Sequence, residues 1–573
     1  MSAASGTTAR TGFTMRLLDG IERTGNRIPH PFWLFLLLGG AVLVLSLVLS
    51  AIGVSVRAPT GEGTVEVVNL LSVEGLRRIV SEAIKNFTAF PPLGIVLVVM
   101  MGVAVAEGSG LISTGVRSVV TTVSGRWLTF AVALTGITGS VASDAVIIVL
   151  PPLAAMAFLA VGRSPLLGIA LAFASVDAGF NASLFITAAE PLYAGISTSA
   201  AQLVDEEYVV SPLSNIYFTI PSAVFLAGVI TLVVERFVAP RVEGVELDGP
   251  HASSASRSAS RRSRDDAKAA TSDAAAGAAG APGTAGAPGA AGAPGAAGAP
   301  GGAGDDAAEG SADFDSVESM RLSPLERRGL RNAAIALVGS LAVLAAAIAI
   351  PGSPLRGEDG GILTGPALMH VSILIALVFV AIGVAYGVTV GTIDSWGAVP
   401  EFMVKGMKDV APVLVLFFVA AQFIAWFEWS NIGTVLAVAG ADLIEALGVA
   451  TPLVMLGVIL MTFVLNLFIT SGSAQWTLMA PVIVPAMMLL GVNPETSQVL
   501  FRIGDSGSHL ITPLNVYFAL MLTYLQRYRR DAGIGTLVSM TLPIAIAVLV
   551  GWSLFFLAWY ALGIPLGPGA PVR

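Results

Sequence analysis

The sequence predicts an all-α polytopic membrane protein, and three observations predict it. Of the 573 residues, 55% are hydrophobic and 12% are charged, which is too little charge to cover the surface of a water-soluble domain of this length. Apolar runs recur along the chain, and each is long enough to cross a hydrocarbon layer of ~30 Å. Polar residues interrupt a few of these runs near their middles, where an ordinary transmembrane helix would be apolar.

Apolar length predicts about nine transmembrane helices. They cover residues 32–55, 91–109, 165–197, 213–237, 330–350, 366–388, 411–428, 494–526 and 538–562. Several arginines precede the first run, but no small-residue cleavage pattern follows it. The first run is therefore expected to be a retained transmembrane helix and not a signal peptide.

Two further apolar stretches, 127–160 and 451–490, predict re-entrant helical hairpins. Small and polar residues interrupt the first at 138–144 and the second at 470–476. An unbroken span would leave Asp144 or Gln475, and the backbone around it, without partners in lipid. A hairpin whose tip is buried in protein satisfies those groups.

Basic residues predict the orientation of the chain in the membrane, and the apolar runs predict its division into parts. Arginines are frequent in the N-terminal segment, after the fourth run and before the fifth, which places the N-terminus in the cytoplasm. An odd number of crossings then places the C-terminus outside. Arg57, Arg77, Arg78 and Lys85 then fall outside, against the rule. The predicted parts are a cytoplasmic N-terminus (1–31), an N-terminal membrane half (32–248), a linker (249–315), a C-terminal membrane half (316–562) and a C-terminal tail (563–573).

The linker differs from the rest of the chain in composition. Ala-Gly-Ala-Pro-Gly repeats follow a Ser- and Arg-rich stretch, with almost no large apolar residues. Such a segment cannot bury a core, so a disordered cytoplasmic tether between the halves is expected. The strict Gly-X-Y period of collagen is absent from it.

The two membrane halves share a pattern of residues. Pro91 and Glu107 have the same separation as Pro412 and Glu428. At a second constant offset, four residues of the first half recur in the second: Asp144, Pro152, Gly162 and Pro165 correspond to Ser473, Pro481, Gly491 and Pro494. Glycine and proline are common enough for some chance matches, but the shared order favours an internal repeat. The predicted topology makes the repeats inverted.

A second kind of break follows each hairpin. Residues 174–181 interrupt the run 165–197, and residues 501–509 interrupt the run 494–526. Glycines let the helix unwind there, which frees carbonyl and amide groups to bind Na⁺ or an anion. The two hairpin tips and the two breaks are expected to converge on one polar cavity.

Each candidate residue in these segments also has a structural explanation. Asp177 can cap the half-helix that follows it. Arg502 and Asp505, three residues apart, can form an ion pair within one helix. Trp476 can pack in the core or stack on a ligand ring. His509 adjoins the second break and is the one histidine placed to take part.

Other functions are excluded or disfavoured by the residues present. The chain has no Gly-Lys-Ser/Thr phosphate loop and no His-Glu-x-x-His motif, so neither ATP-driven transport by this chain nor a zincin-type protease is expected. A passive channel stays open as an alternative. An intramembrane aspartyl protease using Asp177 and Asp505 is a remote one, because Val176 and Arg502 break its Tyr-Asp and Gly-x-Gly-Asp motifs.

At these segments the sequence resembles the AbgT family of p-aminobenzoyl-glutamate transporters. The resemblance covers residues from about 20 to 562 except the linker, whose length departs from the family pattern. The residues that carry it are Asn86-Phe87-Thr88-Ala89-Phe90-Pro91-Pro92-Leu93-Gly94, the run from Ser143-Asp144 to Pro151-Pro152, Gly162-Arg163-Ser164-Pro165, Ser175-Val176-Asp177-Ala178-Gly179-Phe180-Asn181, Ser471-Gly472-Ser473-Ala474-Gln475-Trp476, Phe501-Arg502-Ile503-Gly504-Asp505-Ser506 and Ile511-Thr512-Pro513-Leu514-Asn515.

The resemblance implies a homodimeric, elevator-type carrier in the inner membrane with nine spans and two hairpins per protomer. It implies secondary active transport of p-aminobenzoyl-glutamate or of sulfonamide-like antimetabolites, driven by a proton or sodium gradient. It implies no enzymatic activity, no cofactor other than the coupling ion and no nucleic-acid partner. The substrate-binding positions that it implies are Asp177, Asn181, Ser473, Trp476, Arg502, Asp505 and Pro513.

Chemistry fits several of these implied roles. Arg502 can pair with a substrate carboxylate, Trp476 can stack on a benzoyl ring, and Ser473 can bond to an amide. The candidates for ion coupling are Ser143, Asp144, Asp177, Asn181, Ser471 and Asp505. Na⁺ would be bound by Ser143, Asp144 and Asn181, although Ser143 and Asp144 can equally be caps at the hairpin tip.

Overall fold

A computed structural model describes residues 31–57, 63–122, 125–139, 145–187, 189–243, 245, 247–248, 322–357, 360–361, 365–512 and 514–573. These residues are mostly helical, which confirms the predicted α class. The linker 249–315, the first hairpin tip at 140–144 and Pro513 lie outside the described residues. An antiparallel pair of short strands, β1 (Ser55–Arg57) and β2 (Thr64–Glu66), was not predicted, because three-residue strands carry little sequence signal.

The main helices among the described residues of the N-terminal half run in sequence order. They are α1 (Pro31–Ile52), α2 (Val73–Thr88), α3 (Pro91–Gly108), α4 (Leu111–Thr122), α5 (Leu128–Thr138), α6 (Ala145–Ala160), α7 (Pro165–Gly179), α8 (Ala189–Ala201) and α9 (Ile216–Val233). Helix α9 continues through a π-helical turn, Val234–Val238, into a single α-turn that ends at Val242.

The described residues of the C-terminal half form a comparable set of main helices. They are α10 (Pro324–Ala349), α11 (Val371–Val390), α12 (Ala398–Trp429), α13 (Ile432–Ala446), α14 (Thr451–Asn466), α15 (Gly472–Leu489), α16 (Pro494–Ser508), α17 (Val516–Gln526) and α18 (Ile534–Leu562). One short turn, Pro366–Met369, precedes α11.

Eight helices in the described part of the chain are long and apolar enough to cross a membrane. They are Pro31–Ile52, Val73–Gly108, Ile216–Val242, Pro324–Ala349, Val371–Val390, Ala398–Trp429, Gly472–Leu489 and Ile534–Leu562. The polytopic class is thereby confirmed, but the number of long helices differs from the nine predicted spans. Two predicted spans, 165–197 and 494–526, are each divided into two short helices, and Gly472–Leu489 belongs to a stretch predicted as a hairpin.

The two divided spans follow one local design. Proline is the first residue of both α7 and α16, where its absent N–H costs nothing and its fixed φ favours the helix. A glycine with φ +75°, Gly162 or Gly491, precedes each helix. Every residue of both helices is buried. The helices continue through most of the segments expected to unwind and end at Gly179 and Ser508, so Asp177, Arg502 and Asp505 are helical and the chain leaves the helix only after them.

The segments predicted as hairpins are interrupted as well. Helix α5 ends at Thr138 and α6 begins at Ala145, while α14 ends at Asn466 and α15 begins at Gly472. The Ser471 side chain accepts the amide of Ala474 at 3.4 Å and so caps α15. A Cβ on Gly136 would lie 2.6 Å from the Ser175 Cβ, so α5 runs close against α7.

A large core lies around α6, α7, α16 and α18, and it includes Phe173, Leu500, Ile544 and Trp552. A separate layer is formed by α3 and α11, which approach so closely that a Cβ on Gly383 would lie 2.8 Å from the Ala106 Cα. This close approach of small residues is typical of helix packing in membranes. The buried helices α7 and α16 are therefore enclosed by protein.

Candidate functional site

The broken helices of the two halves meet inside the protein. Asn181, just after α7, donates from Nδ2 to the Asp505 Oδ2 of α16 at 2.7 Å and to the Ser506 Oγ at 3.1 Å. All three residues are buried. Because the contact joins residues of different halves, the polar breaks expected at 174–181 and 501–509 lie together.

Asp177 makes a second contact between the halves. The Asn515 Nδ2 donates to the Asp177 Oδ2 at 2.5 Å and to the His509 carbonyl at 3.2 Å. The Asn515 Oδ1 accepts the amide of Tyr517 at 2.9 Å, so Asn515 caps α17. Asp177, in the last turn of α7, thus bonds to the residue that caps a helix in the other half.

Arg502 forms a buried bidentate ion pair with Glu190, in the first turn of α8. Its Nη1 lies 2.9 Å from Glu190 Oε1 and its Nη2 lies 2.5 Å from Oε2. The Arg502 side chain is 1% exposed and that of Glu190 is 10% exposed. In the described part of the chain, Arg502 pairs with Glu190 and not with Asp505, so the ion pair considered from spacing within α16 is replaced by one between halves.

Glu190 is a site residue that the sequence reasoning missed. It lies in the predicted span 165–197, where an ionisable residue indicates a functional position. The same argument was applied to Asp177 in this span but not to Glu190. The neighbouring Tyr193 was also missed: the Arg502 Cζ lies 5.1 Å from the centre of its ring.

The start of α15, at the second predicted hairpin tip, lies beside this cluster. A Cβ on Gly472 would lie 2.8 Å from the Tyr193 hydroxyl and 3.1 Å from the Asp505 Oδ2. The adjoining hydroxyls of Ser471 and Ser473 are 3.3 Å apart. Ser471 is exposed and Ser473 is half-buried, so this tip connects the buried cluster with the protein surface.

Trp476 is packed among protein side chains. It is fully buried, its ring stacks on Phe501 at 4.7 Å between centroids, and its Nε1 donates to the Ser197 Oγ at 3.0 Å. The core-packing explanation considered from the sequence therefore describes these contacts. Ser143, Asp144 and Pro513, the remaining predicted site residues, lie outside the described residues.

Several buried polar atoms of the cluster have no hydrogen-bond partner in the described part of the chain. They are the Asn181 Oδ1, the Asp505 Oδ1 and the Arg502 Nε. The Asp505 Oδ1 lies 3.4 Å from the His509 Nε2. Such atoms are costly to bury unless something bonds to them. The oxygens suit a hard cation and the Arg502 Nε suits an anion.

No group of three or more His, Cys, Asp or Glu residues that could hold a metal ion is found among the described residues. A Na⁺ site here would therefore depend on amide, hydroxyl or backbone oxygens beside a carboxylate. The cluster offers such oxygens, together with one cation that can pair with a carboxylate.

Comparisons with known proteins agree along almost the whole chain. The profile of the family described as "AbgT putative transporter family" matches residues 16–277 and 304–573. The p-aminobenzoyl-glutamate transport protein of Escherichia coli (strain K12) is 34% identical over 556 residues, which are 97% of this chain and 96% of that protein.

Two solved structures have the same fold. The MtrF structure from Neisseria gonorrhoeae, described as illuminating a class of antimetabolite efflux pumps, is 34% identical, with a TM-score of 0.81 over 97% of this chain and 100% of that one. The YdaH transporter from Alcanivorax borkumensis, described as having an unusual topology, is 34% identical, with a TM-score of 0.78 over 94% of this chain and 100% of that one.

The many apolar helices around a buried charged cluster, together with these relatives, define a multi-pass membrane transporter and not an enzyme. The resemblance noted in the motifs is confirmed over most of the chain. The protein belongs to the AbgT family.

Proposed function

We propose that this protein is a secondary active transporter of p-aminobenzoyl-glutamate, or of related aromatic amides and sulfonamide-like antimetabolites, across the inner membrane. The observation that carries the proposal is the buried Arg502 at the meeting point of two broken helices. A buried guanidinium needs an anionic partner, which Glu190 supplies in this structure and which a glutamate carboxylate of the substrate can supply as well. The names of the relatives support the same substrate class.

The substrate would lie across both halves of the chain. Arg502 binds a carboxylate, Ser473 bonds to the amide, and Asp177 and Asn181 line the side formed by α7. Trp476 is also among the positions proposed from the family resemblance, although its ring packs on Phe501 and is fully buried in this structure. Pro513 completes the set of positions proposed from the family resemblance.

Coupling to a proton or sodium gradient is proposed at the oxygens of the same cluster. Asp505 and Asn181 touch each other, and each has a buried oxygen without a hydrogen-bond partner in the described part of the chain. Asp177 is linked to the same region by Asn515, whose Nδ2 donates both to Asp177 and to the His509 carbonyl. Ser471, Ser143 and Asp144, from the two hairpin tips, are the other candidates for this role.

An inverted internal repeat and an elevator movement are proposed as the structural basis. In support, the bounds of α7 and α16 correspond at one offset, and the preceding glycines Gly162 and Gly491 share φ +75°. The turns after α3 and α12 also match: the Ser109 Oγ donates to the Ala106 carbonyl at 2.9 Å, and the Ser430 Oγ donates to the Phe427 carbonyl at 3.0 Å.

The larger-scale features follow from the same proposal. The protein would be a homodimer with a cytoplasmic N-terminus and an outside C-terminus. The segment 249–315 would be a tether between the repeats. The repeat arrangement makes alternating access a movement of the α7 and α16 region against the longer helices.

Flux measurements in proteoliposomes test this function. Labelled p-aminobenzoyl-glutamate is followed under imposed H⁺ and Na⁺ gradients of each sign, with protein-free liposomes as the control. Accumulation against its own gradient, driven by one of the two ions, is expected. Flux that ignores both ions, accompanied by single-channel currents far above carrier turnover, would contradict the proposal and favour a passive channel.

A further inference from the structure

Glu190 occupies the position on Arg502 that a substrate carboxylate would take. Its two oxygens face Nη1 and Nη2 at 2.9 and 2.5 Å, the parallel two-bond geometry of a carboxylate on a guanidinium. The same face of Arg502 cannot form this arrangement with two carboxylates at once. A substrate that uses Arg502 in this way must therefore displace Glu190.

The remaining contacts of Arg502 stay in place if Glu190 leaves. The Arg502 Nη1 also donates to the Asn181 carbonyl at 3.3 Å, and the guanidinium lies over the Tyr193 ring. The buried Nε has no acceptor among the described residues. The guanidinium is thus held by groups other than Glu190 and has a further donor to offer an incoming carboxylate.

The position of Glu190 in the chain favours its displacement. It lies in the first turn of α8, and residues 180–187 before that helix are not helical, so a helix continues from Glu190 in one chain direction only. A carboxylate at a helix N-terminus is also stabilised by the helix dipole whether or not it has a cationic partner. Arg502, the other member of the ion pair, is held more firmly, because it lies in the middle of α16, which is buried along its length.

We propose that Glu190 is an internal competitor that holds Arg502 between transport cycles and yields it to the carboxylate of the substrate. The proposal rests on the function proposed above, and it adds a residue that sets affinity and selectivity. Glu190 raises the concentration at which carboxylates bind and leaves uncharged ligands unaffected. It also prevents an unpaired guanidinium in the substrate-free protein.

Binding of three probes to the purified full-length protein tests the proposal. The probes are p-aminobenzoyl-glutamate, p-aminobenzoate and the uncharged sulfanilamide, measured with wild type and Glu190→Gln. Removing the competing charge is expected to lower Kd for both carboxylates at least about tenfold. The Kd of sulfanilamide is expected to stay within about twofold. Damage to the fold would weaken binding of all three probes.

Three further variants keep the test decisive. Glu190→Asp retains the charge on a shorter side chain, so an intermediate gain in carboxylate affinity is expected even if Glu190→Gln does not fold. Glu190→Gln with Arg502→Gln removes both charges and is expected to abolish the gain. Glu495→Gln alters another buried carboxylate, which bonds to Tyr208 at 3.0 Å, and is expected to change no Kd.

The outcomes separate the two proposals. Carboxylate affinity that does not rise in Glu190→Gln, or in Glu190→Asp where the former fails to fold, overturns the role of Glu190. The function proposed above is judged on wild type alone, by its binding and flux of p-aminobenzoyl-glutamate. If wild type binds neither carboxylate while Glu190→Gln binds both, Glu190 is an effective competitor and the proposed substrate is wrong.

Discussion

Helices α16 and α10 belong to the same half of the protein and show opposite relations to their surroundings. Every residue of α16 is buried, whereas α10 buries Gly329 and Ala333 alone. Yet α10 satisfies the apolar length criterion for a membrane span, and α16 does not. The more buried of these two helices is therefore the more polar one, because protein surrounds it.

The distribution of charge in the two helices follows from this difference. The charged residues of α10 lie in its first turns, where Glu326 forms an ion pair with Arg117. Arg502 and Asp505 instead lie in the middle of α16, and their partners Glu190 and Asn181 come from the other half. Lipid offers no such partners, so a charge in the middle of α10 would be unpaired.

Arg502→Ala is expected to have the largest effect. Truncating one partner of a buried bidentate pair costs several kcal/mol, so substrate flux should fall about 100-fold or more. The change also leaves Glu190 buried without its cation, which lowers stability. Flux per folded protein, with thermal unfolding measured in parallel, checks both effects.

The matched control for Arg502 is Arg529→Ala. Arg529 pairs with Asp531 at 2.7 Å in an exposed loop, where an ion pair contributes little. Flux and unfolding temperature are expected to stay at wild-type values. Equal losses in the two variants would mean that burial in α16 does not distinguish functional from surface arginines.

Asp177→Asn is expected to have the next largest effect. The substitution keeps the size of the side chain but removes the negative charge from the buried last turn of α7. Gradient-driven flux should fall at least about tenfold, as expected for a group that takes part in binding or coupling. Counterflow exchange without a gradient separates these roles, since a coupling residue affects driven flux more strongly. Asp205→Asn, in an exposed loop, is the control. Unchanged driven flux in Asp177→Asn would mean that Asp177 is not part of the site.

Trp476→Phe is expected to have a moderate effect, mainly on stability. The smaller ring can still face Phe501, but the hydrogen bond to Ser197 is lost, at a cost of about 1–3 kcal/mol. The KM for p-aminobenzoyl-glutamate should change less than about threefold. A larger rise in KM at unchanged stability would instead support direct stacking of Trp476 on the substrate ring.

The sequence predicted the helical class and the location of the breaks, because these depend on local properties. Glycine and polar residues within an apolar run disfavour an unbroken span wherever the run packs. Polar residues in an apolar run must be enclosed by protein, and four of the predicted residues are indeed buried in the cluster: Asp177, Asn181, Arg502 and Asp505.

The partners of these residues depend on tertiary structure and could not be read from spacing. Arg502 and Glu190 are 312 positions apart, and Trp476 and Ser197 are 279 positions apart. The number of spans stays a prediction: eight helices of the described residues are long and apolar enough to cross a membrane, and two of the nine predicted spans are each formed by two short helices, such as α7 and α8. The partners of the polar side chains of α16, Glu190 for Arg502 and Asn181 for Asp505, come from the first half and are set by how the halves pack.

Val338→Ala in α10 is expected to have the smallest effect and tests the comparison most directly. Val338 is 67% exposed on a helix that is long and apolar enough to cross a membrane, so acyl chains are expected to fill the space left by its methyl groups. The matched change in α16 is Val499→Ala, at a residue that is 0% exposed, where a cavity should cost about 1–3 kcal/mol. Thermal unfolding of the two variants in the same detergent and in liposomes measures the difference. If Val338→Ala is as destabilising as Val499→Ala, α10 does not face lipid, and a protein surface such as a second protomer must cover it.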